Sequence, residues 1–569
     1  MAGDVMRPGM AAAKIMGADE AAALIKDGDT IWVNAFLSIA NPVDLNAALT
    51  RRVRAGKGPK GLKVYCSAGF GDWKAGSPCE GYIAEGAAER VVLGHFASMP
   101  ATCEKALANE IEAYNLPLGV MSHMVRDAAA GMRRHATTVG LNLFVDPRQG
   151  ACGLNARSQA KLVQAVVENG EERLLYEVPD IDVALIKGSS ADMRGNISFE
   201  DECATLDALS TAQAARNNGG KVIVQVSRVT DKHQRPRNVI IPGMLVDAIV
   251  VCENQTQLMN VSGNNMSLSG DVRAEGRDVE IWLRLLQSNI GEMQKKRDAI
   301  HSVIANRAFR ELRAGQVVNI GIGISELVGL TAVRCGMLSD VYLTVESGAS
   351  GGLPVNGAAF GAAIGADIIV DMAQQFDFYD GGGLDICFVG TLEIDGEGNA
   401  NSHVGAARLV GIGGFANITQ NSRNVVFCCT FSAKGLEAEI SGCSCPCECA
   451  CDGSGPGGGG NGGSGGSGGN GGDCGSLRIL SEGEIPKFVP KVRSPGFSSK
   501  NALARGQNVL YVTERCVFRL VTADGGGGCL ELVEVADGVD VQRDILDRLP
   551  FAVKVAQPLR RMRVDPETI

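Results

Sequence analysis

The chain has 569 residues, 45% of them hydrophobic and 21% charged, and a net charge of −10 at pH 7. That length exceeds what one hydrophobic core serves and calls for at least two domains, while no apolar stretch is long enough to cross a bilayer. The acidic balance speaks against nucleic acid as a partner, because phosphate backbones are gripped by clustered Lys and Arg.

At the N-terminus, residues 1–16 carry Arg7 and Lys14 but no apolar core of signal-peptide type. A cytoplasmic protein is expected, with organellar targeting left open. Helical spacing over Ala18 to Lys26 is followed by an apolar strand at Thr30 to Val33, and this alternation continues along the chain. Further β-branched runs at Val183–Ile186, Val222–Val226, Ile249–Val251, Val317–Ile320, Ile368–Val370 and Val425–Phe427 read as buried central strands. The class expected is α/β, with two duplicated open domains whose sheets are mainly parallel.

Duplication rests on a repeat at a constant offset of 203 residues: Asp182, Asp192, Gly195, Asn196 and Lys221-Val222 correspond to Asp385, Asp395, Gly398, Asn399 and Asn424-Val425. Both copies contain a D-x-x-G-N turn, in which Gly and Asn tolerate positive φ. A looser pairing sets Gly28–Asn34 against Gly315–Gly321. The division expected is 1–275 for the first domain, enlarged by insertion, 276–298 for a charged connecting helix, and 299–569 for the second domain. Residues 444–475 collapse to Gly, Ser, Asn and Cys with no apolar face, which reads as a disordered surface excursion. The alternate thiols Cys443, Cys445, Cys447, Cys449 and Cys451, followed by Cys474, suit a soft metal ion in principle, but lack C-x-x-C spacing. No metal site is assigned. The other twelve of the eighteen cysteines are scattered through apolar runs and read as reduced core residues.

Chemistry concentrates between Thr344 and Asp385. Val341–Val345 reads as a strand broken by Glu346-Ser347-Gly348, which places Glu346 at a strand's carboxyl end, the edge where open α/β sheets bind ligands. Gly351-Gly352-Leu353-Pro354, Phe360-Gly361 and the run Gln375-Phe376-Asp377-Phe378-Tyr379-Asp380-Gly381-Gly382-Gly383 follow. So much glycine around one acid permits close backbone approach to a substrate. Gly321-Ile322-Gly323-Ile324-Ser325 comes between a strand and a helix and could offer N–H groups to a phosphate. His95 and His403 could line the cleft, although glutamate-based acyl transfer needs no imidazole base.

These segments resemble the family I coenzyme A transferases, most closely the single-chain acetate or propionate type. The resemblance also takes in Glu112–Pro117, Phe144–Pro147, Ile241–Gly243, Gly413–Phe415, Tyr511–Arg515 and Asp540–Leu546. It implies that Glu346 is the catalytic residue, attacking an acyl-CoA and then carrying CoA as a glutamyl thioester in ping-pong fashion. It also implies that Gly413 and Gly414, with Asn399 as neighbour, supply an oxyanion site, that Gly321 and Gly323 meet CoA, and that Asn34, Phe36, Gly381 and Gly382 line the substrate pocket. The loop Ala35–Pro42 has fewer glycines than the family form, and Ser325 stands where the family usually has Pro. CoA enters as substrate and covalent intermediate, with no separate cofactor. The partners implied are acyl-CoA and short carboxylic acids, with neither nucleic acid nor membrane, and the enzyme is expected to be a homo-oligomer. An acyl-CoA hydrolase of the same fold and a non-catalytic ligand sensor are the alternatives.

Overall fold

The structure, a computed structural model, describes residues 14–150, 152–259, 261–272, 299–355, 357–405, 408–441 and 475–566. The connecting helix expected at 276–298 and the thiol-rich excursion up to residue 474 lie outside them. Two large sheets organise the molecule, one on each side of that connecting stretch in the sequence. The first has eight strands in the order Lys14–Ile15, Ala248–Val251, Lys221–Val226, Val183–Lys187, Thr30–Val33, Leu62–Cys66, Ala88–Leu93, Glu112–Asn115. Every neighbouring pair is parallel.

Alternate residues of these strands enter two cores, as the pleat requires. Trp32, Val92, Ile186 and Val224 pack on the face that holds Val120, Met124, Ala208 and Ala212. Ile31, Val33, Val64, Leu185 and Ile223 pack on the other with Leu45 and Leu49. Burial on both faces explains why the strands read as continuous apolar runs.

The second sheet has ten strands. Its parallel centre runs Tyr342–Thr344, Val317–Ile320, Ile386–Val389, Asn424–Cys428, Asn508–Val512. Antiparallel pairings flank it: Ile368–Ile369 and Ala349–Ser350 on one side, Cys516–Thr522 and Gly528–Ala536 on the other. Two expectations change here. Ile368–Ile369 is an edge strand, with Ile368 half exposed, because it follows a hairpin rather than a crossover helix. The first helix stops at Ala22, after which Leu24 and Ile25 donate to carbonyls three residues back and tighten the chain into turns.

The repeat seen in the sequence reappears as matched hydrogen bonds. Asp182 accepts the N–H of Thr30 at 2.8 Å and Asp385 that of Val317 at 2.9 Å, each pinning the first residue of the central strand. Asn196 and Asn399 donate to Asp192 and Asp395 at 3.0 and 3.2 Å, and Gly195 and Gly398 take φ of +76° and +86°. The extra length of the first half includes an antiparallel sheet of Arg134–Thr137, Val163–Glu168 and Glu171–Glu177. Among the described residues, no helix is long and apolar enough to cross a membrane, no His, Cys, Asp and Glu cluster has the form of a metal site, and no two cysteines are joined in a disulfide.

Candidate active site

Glu346 leaves the carboxyl end of Tyr342–Thr344 in a tight turn. Val345 donates its N–H to Ala349 at 2.8 Å, and Gly348 donates back to Val345 at 3.1 Å. Gly348 sits at φ +116°, and a Cβ there would lie 2.0 Å from the Val370 carbonyl, so only glycine closes this turn. Ser347 is fastened by donating its hydroxyl to the Gly361 carbonyl. The acid is therefore held rigidly at the sheet edge.

Its electrostatics are unusual. Glu346 is buried, and burial pushes its pKa up to about 7, opposed only by its own backbone N–H. Among the described residues, no side-chain donor and no cation meets its carboxylate. Around it, Tyr379 donates to Thr344 Oγ1 at 2.9 Å and Asn319 Nδ2 reaches Tyr379 at 3.4 Å. The charge of Glu346 helps to drive the Tyr379 pKa upward, after the larger effect of burial.

Gly414 closes over the acid. A Cβ on Gly414 would stand 3.0 Å from Glu346 Cγ and 3.4 Å from Phe376 Cζ, so the missing side chain is what lets the backbone approach. The loop that carries it is stitched to the carboxyl edge of the first sheet. Gly413 donates to Gly94 at 2.8 Å, Leu118 to Gly413 at 2.9 Å, and Ile412 to Asn115 Oδ1 at 2.9 Å. Gly119 adds an N–H to Asn417 at 3.2 Å. Glu346 thus faces a wall that the other half of the chain holds in place.

Phe36 is also brought in. Its ring lies against Gly361, where a Cβ would come within 2.7 Å, and its centroid is 6.0 Å from that of Phe360. Gly361 is the residue whose carbonyl fastens Ser347. The loop around Phe36 holds Leu37 and Ala40 at φ of +55° and +49°, strain that glycines would have relieved.

The remaining expected residues go elsewhere. The N–H of Gly413 is committed to Gly94, which leaves Gly414 as the donor of the pair. Asn399 engages Asp395, Glu397 and Ser499, the same structural task that Asn196 performs in the first half. Gly321 lies on the correct sheet edge, but its N–H is bonded to Phe388, and that of Gly323 to the Glu326 carboxylate, an acid already occupying the place of a phosphate. Asn34 holds Thr205 and Asp207 within the first half. Gly381 and Gly382 precede the strand Ile386–Val389 and so lie at the amino edge of the sheet, opposite Glu346. They line a cleft of about 370 Å³ with Asn421, Arg423 and Arg505. The helix Met372–Asp380 separates them from Gln375 by more than a turn, which proximity in sequence concealed.

His403 is buried and His95 half-buried, and both are held neutral. His95 is lowered to about 4 by burial and then by Arg408, and His403 to about 3 by burial. Gln375, Phe376 and Tyr379 were quoted as a motif without individual roles. The spacings of four from Gln375 to Tyr379 and three from Phe376 to Tyr379 are the signal that groups them on one side of the helix.

A sequence profile described as "Coenzyme A transferase" matches residues 15–252. The chain is 36% identical over 550 residues to the protein named acetate CoA-transferase YdiF of Escherichia coli (strain K12), covering 96% of this chain and 94% of that one. It is 33% identical to the caffeate CoA-transferase of Acetobacterium woodii, covering 97% and 96%. The crystal structure of a thioester complex with CoA of the acyl-CoA transferase YdiF from Escherichia coli O157:H7 superimposes with a TM-score of 0.81 at 33% identity, over 97% of this chain and 95% of that one.

Proposed function

The chain belongs to the coenzyme A transferases, and from that premise we propose that Glu346 carries CoA between a short-chain acyl-CoA and a free carboxylic acid. The observation that carries this reading is a buried carboxylate at a sheet's carboxyl edge, met by no side-chain donor among the described residues and lying under a glycine backbone that approaches it closely. A Glu346 carboxylate oxygen attacks the thioester carbonyl. The C–S bond breaks with its electron pair going to sulfur, giving an acyl-glutamyl anhydride and CoA thiolate. The thiolate then attacks Glu346 Cδ, the C–O bond breaks, and the free acid leaves with that pair. An acceptor carboxylate runs the sequence backward.

A carboxylate is a weak nucleophile toward a thioester, so its environment must raise its reactivity. Burial removes the water that would stabilise the anion, and the Gly414 N–H would meet the oxyanion, a contribution of roughly 3 kcal/mol per donor elsewhere. CoA contacts away from the reacting atoms would be realised in the transition state. Residues 1–275 and 299–569 are taken as the two domains, with Phe36 at the acyl side.

Acetate is proposed as acceptor from the similarity to acetate CoA-transferase YdiF. Free thiols among the described residues support a reducing, cytoplasmic setting. A homo-oligomer, to be checked by light scattering, is part of the same proposal. Steady-state rates with acetyl-CoA and varied propionate test the function. Parallel double-reciprocal lines are expected, and intersecting lines, or turnover without an acceptor acid, would contradict the proposal.

A further inference from the structure

Of the polar groups around Glu346, Asn319 Oδ1 is a buried acceptor without a partner among the described residues, and Gln375 carries the buried donor left unsatisfied. Gln375, on the helix Met372–Asp380, is buried at 4% exposure. Its Oε1 accepts from the Ser350 hydroxyl at 3.2 Å. Its Nε2 approaches the Tyr379 hydroxyl without reaching hydrogen-bond geometry and has no partner among the described residues. Leaving a buried donor unpaired costs on the order of 1–3 kcal/mol. Such an orphan in a native site points to an acceptor that arrives with the ligand or forms during the reaction.

The surroundings say where that acceptor is. Ser350 pairs with Thr344 across the turn that carries Glu346, so Gln375 is anchored to that turn's base. Tyr379, four residues on and on the same helix face, bonds Thr344 and responds to the charge of Glu346. Phe376, the next residue, touches the Gly414 position that also meets Glu346 Cγ. Gln375 therefore reaches the turn that carries the acid from the helix, and Gly414 meets the acid from the glycine loop.

We propose that Gln375 Nε2 is the second donor of the oxyanion site, giving a hydrogen bond to the carbonyl oxygen of Glu346 when CoA thiolate adds to Cδ, with the Gly414 N–H as the first. As the thiolate forms the new S–C bond, the π pair of the Glu346 carbonyl moves to its oxygen, and Nε2–H shares its proton with that oxyanion. The pair returns as the C–O bond to the departing carboxylate breaks, and the amide is left as it began. No proton is transferred. The anchor at Ser350 holds Oε1 and leaves the nitrogen as the free end of the amide.

The inference rests on Glu346 being the CoA carrier, and the test separates the two. Wild type, Gln375→Met and Ser350→Ala are mixed with acetyl-CoA without acceptor, and the growth of the CoA adduct on the Glu346 peptide is followed by mass in single turnover. Gln375→Met keeps the length of the side chain and removes the donor. It is expected to slow adduct formation by about 10²-fold, the typical effect of losing one oxyanion donor, with KM for acetyl-CoA little changed and folding intact by circular dichroism. Ser350→Ala is expected to slow it less, and serves alone if the Met variant does not fold. In the Glu346 adduct labelled with 13C at Cδ, the carbonyl stretch should move to higher frequency in Gln375→Met, a change that mere loosening of the helix would not give. An adduct rate and stretch equal to wild type in a folded Gln375→Met, or an unchanged rate in Ser350→Ala if only that variant folds, overturns the inference. A wild type that forms no adduct overturns the proposed function itself.

Discussion

The two halves present corresponding strand ends with opposite uses. In the first, Leu62–Cys66 beside Thr30–Val33 ends in Ser67-Ala68-Gly69. In the second, Tyr342–Thr344 beside Val317–Ile320 ends in Val345-Glu346-Ser347-Gly348. The first half also buries an acid near this edge, Asp207, whose pKa burial raises to about 6, but Ser122 and Ser67 both donate to it. Glu346 is raised to about 7 and has no such donors. One architecture thus yields a satisfied structural acid in one copy and an unsatisfied, reactive one in the other. What differs is the supply of donors around each acid, not the strand order.

The largest expected effect follows from that difference. Glu346→Ala should lower CoA exchange between acids by at least about 10³-fold, on the scale of losing a covalent nucleophile, whereas Asp207→Asn should leave kcat within about threefold of wild type where it folds. Comparable losses in both would break the comparison.

Next comes stability. Glu346 has its folded pKa raised from 4.5 to about 7, so ionising it in the fold costs free energy. The cost is fully present above pH 7, shrinks as pH falls through 7 and is gone near the ordinary value of 4.5. Glu346→Gln should therefore be inactive yet more stable at pH 8 by about 3 kcal/mol, with the gain lost by pH 4. Denaturant unfolding at the two pH values measures it, and a variant less stable than wild type at pH 8 would count against the desolvated carboxylate. In wild type, kcat/KM for acetyl-CoA should rise with pH through a midpoint near 7, as the nucleophile must be ionised.

Smaller effects probe the duplication. Asp182→Ala and Asp385→Ala each remove the acceptor of a strand-opening N–H and should each cost about 1–3 kcal/mol; strongly unequal losses would argue that the matched turns are not equivalent. Least of all should happen to catalysis in Asn399→Ala, where kcat should stay within about threefold of wild type, as for a residue placed away from the chemistry. A hundredfold fall in kcat would restore Asn399 to the oxyanion site.

Much of this was legible in the sequence because it is local. Thr30–Val33 and Val317–Ile320 match the reading to the residue, since the first is buried throughout and the second is buried or half-buried on both faces and mostly apolar. The place of Glu346 at a strand's carboxyl end was legible because a glycine turn follows a β-branched run, while its role came from the resemblance. What escaped depends on which partner each group finds in the fold. The Gly413 N–H is taken by Gly94, and Gly323 by a side chain three residues on, neither of which a glycine count reveals. Gly381 and Gly382 lie at the other sheet edge because the helix Met372–Asp380 carries the chain more than a turn away from Gln375 before the next strand begins. Gln375 itself stood in the motif, but its free donor appears only once Ser350 and Tyr379 are in place.

The central claim, that one unsatisfied carboxylate holds CoA between half-reactions, is tested most directly by mass. Incubation of the full chain with acetyl-CoA and no acceptor, followed by digestion, should give a CoA-sized increase on the peptide containing Glu346, removed by adding acetate. An unmodified Glu346 peptide while acetyl-CoA still exchanges its acyl group with labelled acetate would contradict it.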